Sequence, residues 1–137
     1  MASETFIDTS GFYALLVEND SAHAAATRWL ASARSHRARV VTTDYVLDET
    51  ATLLKARGHR DLVEAFFAQL DRSEVCTVFR VDRDQFDRAR AFFVKHADHE
   101  YSFTDCTSFV VMLERGIREA LTKDGHFAEA GFRAILA

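Results

Sequence analysis

The sequence predicts an α/β fold, a three-layer α/β/α sandwich built on a central parallel sheet. Short runs rich in β-branched and aromatic residues alternate with stretches whose apolar residues recur at helical spacing. Strands that alternate with helices are joined by right-handed crossovers, which make the strands parallel and put helices on both faces of the sheet. No proline, internal repeat or low-complexity tract interrupts the 137 residues, so we expect a single domain over 1–137.

Five strands and the helices between them follow in chain order. The predicted strands are TFID (5–8), VVTT (40–43), VCTVFRV (75–81) and two short ones near 120–122 and 132–136. The first predicted helix begins at GFYALL. The others cover 22–33, 44–57, 61–72, the segment that contains Phe86, Phe92 and Phe93, and the residues from 104 onward. The clearest is 61–72, where Leu62, Phe66 and Leu70 recur at every fourth position.

Composition argues against several classes of protein. The N-terminus has no basic region before an apolar run, so it is not predicted to be a signal peptide. No apolar run approaches the roughly 18 residues that cross a membrane. Cys76 and Cys106 lie in apolar segments and are expected to be buried free thiols in a reducing compartment. We therefore expect a soluble, cytoplasmic protein with no membrane partner.

Charge is distributed unevenly along the chain. The net charge of −4 argues against a protein that coats nucleic acid without specificity. Residues 25–60, however, carry seven basic against three acidic side chains, which gives +4. One interpretation is a phosphate-contacting face made by Arg34, Arg37, Arg39, Lys55 and Arg57. The alternative is that arginine collects near helix C-termini, where the helix dipole favours positive charge.

Two acidic residues follow predicted strands. Asp8 ends the first strand, and Asp124 follows the fourth within KDGHF. Each has a structural alternative, because Asp8 could cap the next helix and Asp-Gly is a common turn sequence. In parallel α/β sheets, however, ligands bind outside the carboxyl ends of the strands. We therefore expect both side chains at that edge.

Two further acids lie on helices. Asp105 in SFTDCTSFVVM shares a helical stripe with Phe109 and Met112, and Ser102 or Thr104 could cap that helix instead. Glu49 in DYVLDETATLL lies at the edge of a predicted apolar face and has no Lys or Arg three or four positions away. Its neighbour Asp48 is turned by about 100° and is expected in solvent.

These four carboxylates are expected to converge and to bind a metal ion. Two charges about 5 Å apart repel by about 3 kcal/mol at an effective dielectric of about 20, so a cluster of four needs a cation. Oxygen ligands without paired His or Cys favour Mg²⁺ or Mn²⁺ over zinc. The six histidines show no H-x-x-x-H spacing, and His96 and His99, three apart in a polar loop, are weaker candidates for metal binding.

The chain resembles the PIN-domain family, in particular its VapC-type ribonuclease toxins. FIDTSGFYALL, YVLDETATLL and SFTDCTSFVVMLERGIREALTKDGHFAEAGF carry the resemblance, which covers essentially the whole chain. It implies a PIN fold with catalytic and metal-binding acids at four positions: Asp8, Glu49, Asp105 and Asp124. It also implies supporting hydroxyls at Ser10 and Thr104.

The predicted function is therefore an Mg²⁺-dependent endoribonuclease, the toxin of a type II toxin–antitoxin pair, in which a bound metal activates water for attack on phosphorus. The resemblance also implies RNA as substrate, a small inhibitory antitoxin as partner and a possible homodimer. Alternatives are a PIN nuclease of RNA processing, an aspartyl-phosphate phosphotransferase and a non-catalytic binding module. The phosphotransferase alternative is weakened because Ser10 stands where those enzymes need a second acid.

Overall fold

Five parallel strands form the centre of the protein, as a computed structural model describing residues 3–137 defines it. Their order across the sheet is β3-β2-β1-β4-β5. The strands are β1 (Glu4–Ile7), β2 (Arg39–Thr43), β3 (Cys76–Phe79), β4 (Glu119–Leu121) and β5 (Arg133–Ala134). Every neighbouring pair is parallel, so all the carboxyl ends lie at one edge. The prediction of a central parallel sheet is confirmed.

Seven helices in the described residues surround the sheet and complete the three-layer α/β/α arrangement. They are α1 (Thr9–Leu16), α2 (His23–Ser35), α3 (Asp44–Ala56), α4 (Arg60–Arg72), α5 (Arg83–Lys95), α6 (Phe103–Arg115) and α7 (Gly125–Glu129). Helix α1 packs on α2 and α3, α3 packs on α4 and α6, and α5 packs on α6. Between residues 3 and 137, no helix is both long and apolar enough to cross a membrane.

The core surrounds the central strand β1 and helix α6. Phe6, Val41 and Leu121, one from each of three neighbouring strands, are fully buried. Helix α6 is buried continuously from Asp105 to Met112, including the polar side chains of Thr107 and Ser108. This burial holds the first turn of α6, and Asp105 with it, against the edge of the sheet.

Gly11 allows α1 to lie against β4. A Cβ atom at this position would overlap the backbone oxygen of Leu121. A side chain cannot be accommodated there without moving one of the two backbones. Glycine is therefore required for the close approach that joins the start of α1 to the end of β4.

Two predicted strands are shorter than the sequence indicated. The third ends at Phe79 rather than 81, because the Val81 N–H leaves the sheet and donates to Asp44 Oδ1 (3.0 Å) while Asp82 caps α5. The fifth contains only Arg133–Ala134. Both cysteines are free as predicted, although Cys76 is only partly buried.

Candidate active site

A cleft of about 470 Å³ lies at the carboxyl ends of β1 and β4, and all four predicted carboxylates line it. They are Asp8, Glu49, Asp105 and Asp124. The parallel sheet explains this convergence, because β1 and β4 are neighbours and end at the same edge. The other two acids come from helices: Glu49 lies in the middle of α3, and Asp105 lies in the buried first turn of α6.

Asp8 is the most deeply buried of the four, with 4% of its surface exposed. It occupies the N-cap position of α1, yet its side chain makes no capping hydrogen bond. Its Oδ2 accepts a hydrogen bond from the Thr122 hydroxyl (3.0 Å). Its Oδ1 is the one buried side-chain polar atom in residues 3–137 without a hydrogen-bond partner. Burial, reinforced by the charges of Asp105 and Glu49, raises the pKa of Asp8 to about 7.

Asp105 has both a structural and an electrostatic role. It forms a capping box with Ser102: the Asp105 N–H donates to Ser102 Oγ (2.9 Å), and the Ser102 N–H donates to Asp105 Oδ2 (3.1 Å). Ser102 is therefore the N-cap of α6, one of the two candidates that the sequence offered, and Asp105 completes the capping box from the third helical position. Burial also raises the pKa of Asp105, and the Asp124 carboxylate adds to the effect. A capping carboxylate in solvent would not have its pKa raised by burial.

Asp124 and His126 complete the acidic end of the cleft. Asp124 caps α7, since its Oδ1 accepts a hydrogen bond from the His126 N–H (2.8 Å). The His126 ring approaches both acids, with Nδ1 at 3.1 Å from Asp124 Oδ1 and 3.3 Å from Asp105 Oδ2. Partial burial acts to lower the pKa of His126, but the two carboxylates outweigh it and raise the pKa. Ligand atoms of all three residues lie within 4.8 Å of one another.

Glu49 lies where helical phase predicted it. It is half-buried and lines the cleft, whereas the adjacent Asp48 is exposed. The negative charge of Glu49 contributes to the raised pKa of Asp8. The difference between these neighbouring acids follows from the rotation of about 100° per residue in an α-helix.

A hydroxyl relay holds Asp8 in place. Because the Thr122 hydroxyl donates to Asp8, the Ser10 hydroxyl must donate to Thr122 Oγ1 across their 3.0 Å contact. Ser10 Oγ accepts in turn from the Lys123 N–H (2.8 Å). The predicted supporting position of Ser10 thus agrees with the geometry. Thr104 is not among the residues that line the cleft. Sequence reasoning missed Thr122, whose hydroxyl bonds to Asp8.

The predicted phosphate-contacting face is not assembled at the cleft. Of its five basic residues, only Arg57 lines the cleft, where its guanidinium lies 5.1 Å from the centre of the Tyr13 ring. Arg37 and Arg39 precede or begin β2, at the sheet edge opposite the carboxylates, and Arg34 and Lys55 line other surfaces. Lys123, which was not predicted, lines the cleft and bonds to Asp20 Oδ1 (3.0 Å).

The residues present suit a hard divalent cation. Asp8 Oδ1 is an orphaned buried oxygen, and burial together with the charges of neighbouring carboxylates raises the pKa values of Asp8 and Asp105. A bound cation would offset both effects. The donors are mainly carboxylate oxygens, which favour Mg²⁺ or Mn²⁺. His126 adds one imidazole at the rim. The cleft is therefore chemically suited to bind a metal and a phosphate together.

A parallel sheet in the order 3-2-1-4-5, with four carboxylates gathered at the ends of its strands, defines a PIN-type nuclease fold and site. The PIN-domain family model matches residues 5–133, and the chain belongs to this family. The resemblance drawn from the sequence is confirmed.

The similarity extends to individual toxins within the family. The chain is 43% identical over 128 residues to the 23S rRNA-specific endonuclease VapC20 from two strains of Mycobacterium tuberculosis, covering 93% of this chain and 94% of the relative. The crystal structure of Mycobacterium tuberculosis VapC20, described as a sarcin-ricin loop cleaving toxin, superimposes with a TM-score of 0.85 at 39% identity. That match covers 95% of this chain and 96% of the other. The predicted relation to VapC-type ribonucleases is therefore confirmed.

Proposed function

We propose that this protein is an Mg²⁺-dependent endoribonuclease toxin that acts in the cytoplasm on 23S ribosomal RNA. Mn²⁺ is the expected substitute for Mg²⁺. The RNA target is inferred from the 43% identity to VapC20, which extends over 93% of the chain. The observation that carries the proposal is the convergence of four carboxylates on one cleft, with a buried Asp8 oxygen left unpaired. Neither the aspartyl-phosphate alternative nor a binding module requires all four.

Asp8 and Asp105 are the proposed principal metal ligands, with Glu49 and Asp124 completing or tuning the site. A divalent cation bound there supplies charge neutralisation for the scissile phosphate and acidifies water for in-line attack. The chain's own task is to hold the carboxylates in place. Thr122 orients Asp8 through its hydroxyl (3.0 Å), and Ser102 holds Asp105 through the capping box. These bonds organise the acids before substrate arrives.

Two basic side chains at the cleft are proposed to contact RNA phosphates. Arg57 is held over the Tyr13 ring, and Lys123 is held by Asp20 and Ser21. Both line the same cleft as the acids, so a phosphate bound at the metal would have positive charge beside it. This replaces the broader basic face that the sequence suggested.

The proposal is tested by incubating purified protein with intact large ribosomal subunits and mapping new RNA ends by primer extension. One dominant cut in 23S rRNA is expected, lost with EDTA and restored by Mg²⁺ or Mn²⁺. Asp8→Asn should be inactive, while Asp48→Asn, which alters an exposed acid on α3, should cleave like the wild type. Cleavage that continues unchanged in EDTA would exclude the metal mechanism. Cleavage of other RNAs alone would exclude only the 23S target.

We further propose an antitoxin as partner, bound partly in an apolar groove remote from the acids. This groove of about 320 Å³ is lined by side chains of α1, α2 and α4, among them Phe12, Leu30, Leu62 and Phe66. An unpaired apolar groove of this kind suits an amphipathic segment. Leu62→Lys should weaken capture of the neighbouring gene's product at least tenfold, while Leu113→Lys, on an exposed position of α6, should not. Equal capture by both variants would place the partner elsewhere.

A homodimer is proposed through the exposed apolar face of α5. Phe86, Phe93 and Val94 are 36%, 41% and 68% exposed there, which is unusual for large apolar side chains. Sedimentation should give a dimer for the wild type and a monomer for Phe93→Glu. A wild-type monomer at micromolar concentration would refute this assignment.

A further inference from the structure

A second group of metal-ligand side chains lies in the turn between α5 and α6. His96, Asp98 and His99 each offer one ligand atom, and these atoms lie within 4.8 Å of one another. The acids of the catalytic cleft are not among them. Because two of the three donors are imidazoles, the group differs chemically from the carboxylate-rich cleft.

The two imidazole rings are held by aromatic neighbours. His99 stacks on Tyr101, with ring centroids 4.6 Å apart and planes inclined by 6°. His96 packs on Phe92, with centroids 4.2 Å apart. Glu129 Oε1 approaches His99 Nδ1 at 3.7 Å and adds negative charge beside the group. Both rings are half-buried, so their donors are presented in a restricted arrangement.

We propose that His96, Asp98 and His99 form a second metal site, specific for Zn²⁺ or a similar transition-metal ion. Imidazole and carboxylate donors suit zinc, whereas Mg²⁺ prefers oxygen donors alone. In a tetrahedral zinc site with Zn–N distances of about 2.0 Å, ligand atoms lie about 3.3 Å apart. The donors here, which lie within 4.8 Å of one another, need to close by at most about 1.5 Å. Side chains in a turn can make that movement. Glu129, whose Oε1 lies 3.7 Å from His99 Nδ1, offers a carboxylate for the fourth position.

This site would restrain one wall of the catalytic cleft. Glu100 and Ser102 line the cleft and follow His99 directly in the chain. Ser102 also forms the capping box that holds Asp105. A metal ion bound by the turn would therefore restrict the motion of residues 96–102, which include both of these cleft residues.

The test is isothermal titration calorimetry, in which Zn²⁺ is added to the full chain in the presence of excess Mg²⁺. Since the cleft also holds one imidazole, the titration is made in the Asp105→Asn/His126→Ala background, which weakens zinc binding there. One equivalent of Zn²⁺ is expected to bind. Adding His96→Ala or His99→Gln should weaken binding at least tenfold, and glutamine retains bulk beside Tyr101. His36→Ala, an exposed histidine at the end of α2, is the matched control.

Hydrogen exchange gives a second, independent measurement. In the same background, Zn²⁺ should slow exchange of amides in 96–102 and leave those around His36 unchanged. If no Zn²⁺ binds, or if it binds equally to the His96 and His99 variants, the second site does not exist. Unaltered exchange in 96–102 with Zn²⁺ bound would likewise overturn the assignment. None of these measurements depends on ribonuclease activity.

Discussion

Asp8→Asn is expected to stabilise the metal-free protein while abolishing its activity. The wild-type carboxylate is buried, and its pKa rises from 3.8 to about 7. That rise corresponds to a loss of at most about 4 kcal/mol in the free energy of unfolding of the wild type. The full loss applies at a pH where the folded protein carries the Asp8 charge. Asparagine keeps an oxygen to accept the Thr122 hydrogen bond and removes the charge.

The pH dependence of this effect has a defined sign. Below pH about 4, Asp8 is protonated in both the folded and the unfolded state, so the variant and the wild type should have similar stability. Between pH 4 and 7 the unfolded wild type loses its proton while the folded protein retains it. The free energy of unfolding of the wild type therefore falls with rising pH, relative to the variant, and the difference levels off above pH about 7.

The assay is urea denaturation from pH 4 to 9 in EDTA, followed by circular dichroism. Asp48→Asn serves as the control, since its exposed carboxylate should give a difference below about 0.5 kcal/mol at every pH. Adding Mg²⁺ should stabilise the wild type more than Asp8→Asn. If Asp8→Asn is no more stable than the wild type at pH 8 in EDTA, the buried Asp8 charge does not destabilise the metal-free protein and the reasoning is refuted.

Three further predictions follow from the same geometry. Glu49→Gln should reduce cleavage most strongly at limiting Mg²⁺, whereas Asp48→Asn should cleave normally; a fluorogenic RNA assay that gave the reverse would overturn the helical phase. Gly11→Ala should destabilise the protein by about 1–3 kcal/mol because its Cβ would meet the Leu121 backbone oxygen, while Gly125→Ala, with open space around it, should be within about 1 kcal/mol of the wild type in thermal melts. Binding of Mg²⁺ at pH 6 should release protons from Asp8, with release diminishing above pH 7; calorimetry in buffers of different ionisation enthalpy would give identical heats if no proton is released.

The sequence predicted where the carboxylates would lie because topology alone brings them together. Asp8 and Asp124 follow strands that end at one edge, and the phase of α3 separates Glu49 from Asp48. These arguments need only the direction of strands and the pitch of a helix. They do not depend on side-chain packing, which sequence reasoning cannot supply.

The parts of the site that sequence reasoning missed depend on contacts between distant parts of the chain. The hydrogen bond from Thr122 to Asp8 joins residues 114 positions apart, and no local pattern in the sequence predicts it. The basic residues of 25–60 face different surfaces, since Arg57 lines the cleft whereas Arg39 begins β2 at the amino end of the sheet. His126 could have been found from the sequence, since it stands two residues after Asp124 in KDGHF.

The pairing of β1 with both β2 and β4 has a consequence for the nascent chain. The first carboxylate is synthesised at position 8, but the neighbouring strand and the last carboxylate come only at 119–124. A chain still being translated therefore has an open edge on β1 and an incomplete cleft. On the proposed function, catalytic competence arises only after residues 119–124 have emerged from the ribosome. Until then, the ribosome that makes this protein carries a chain that cannot attack ribosomal RNA.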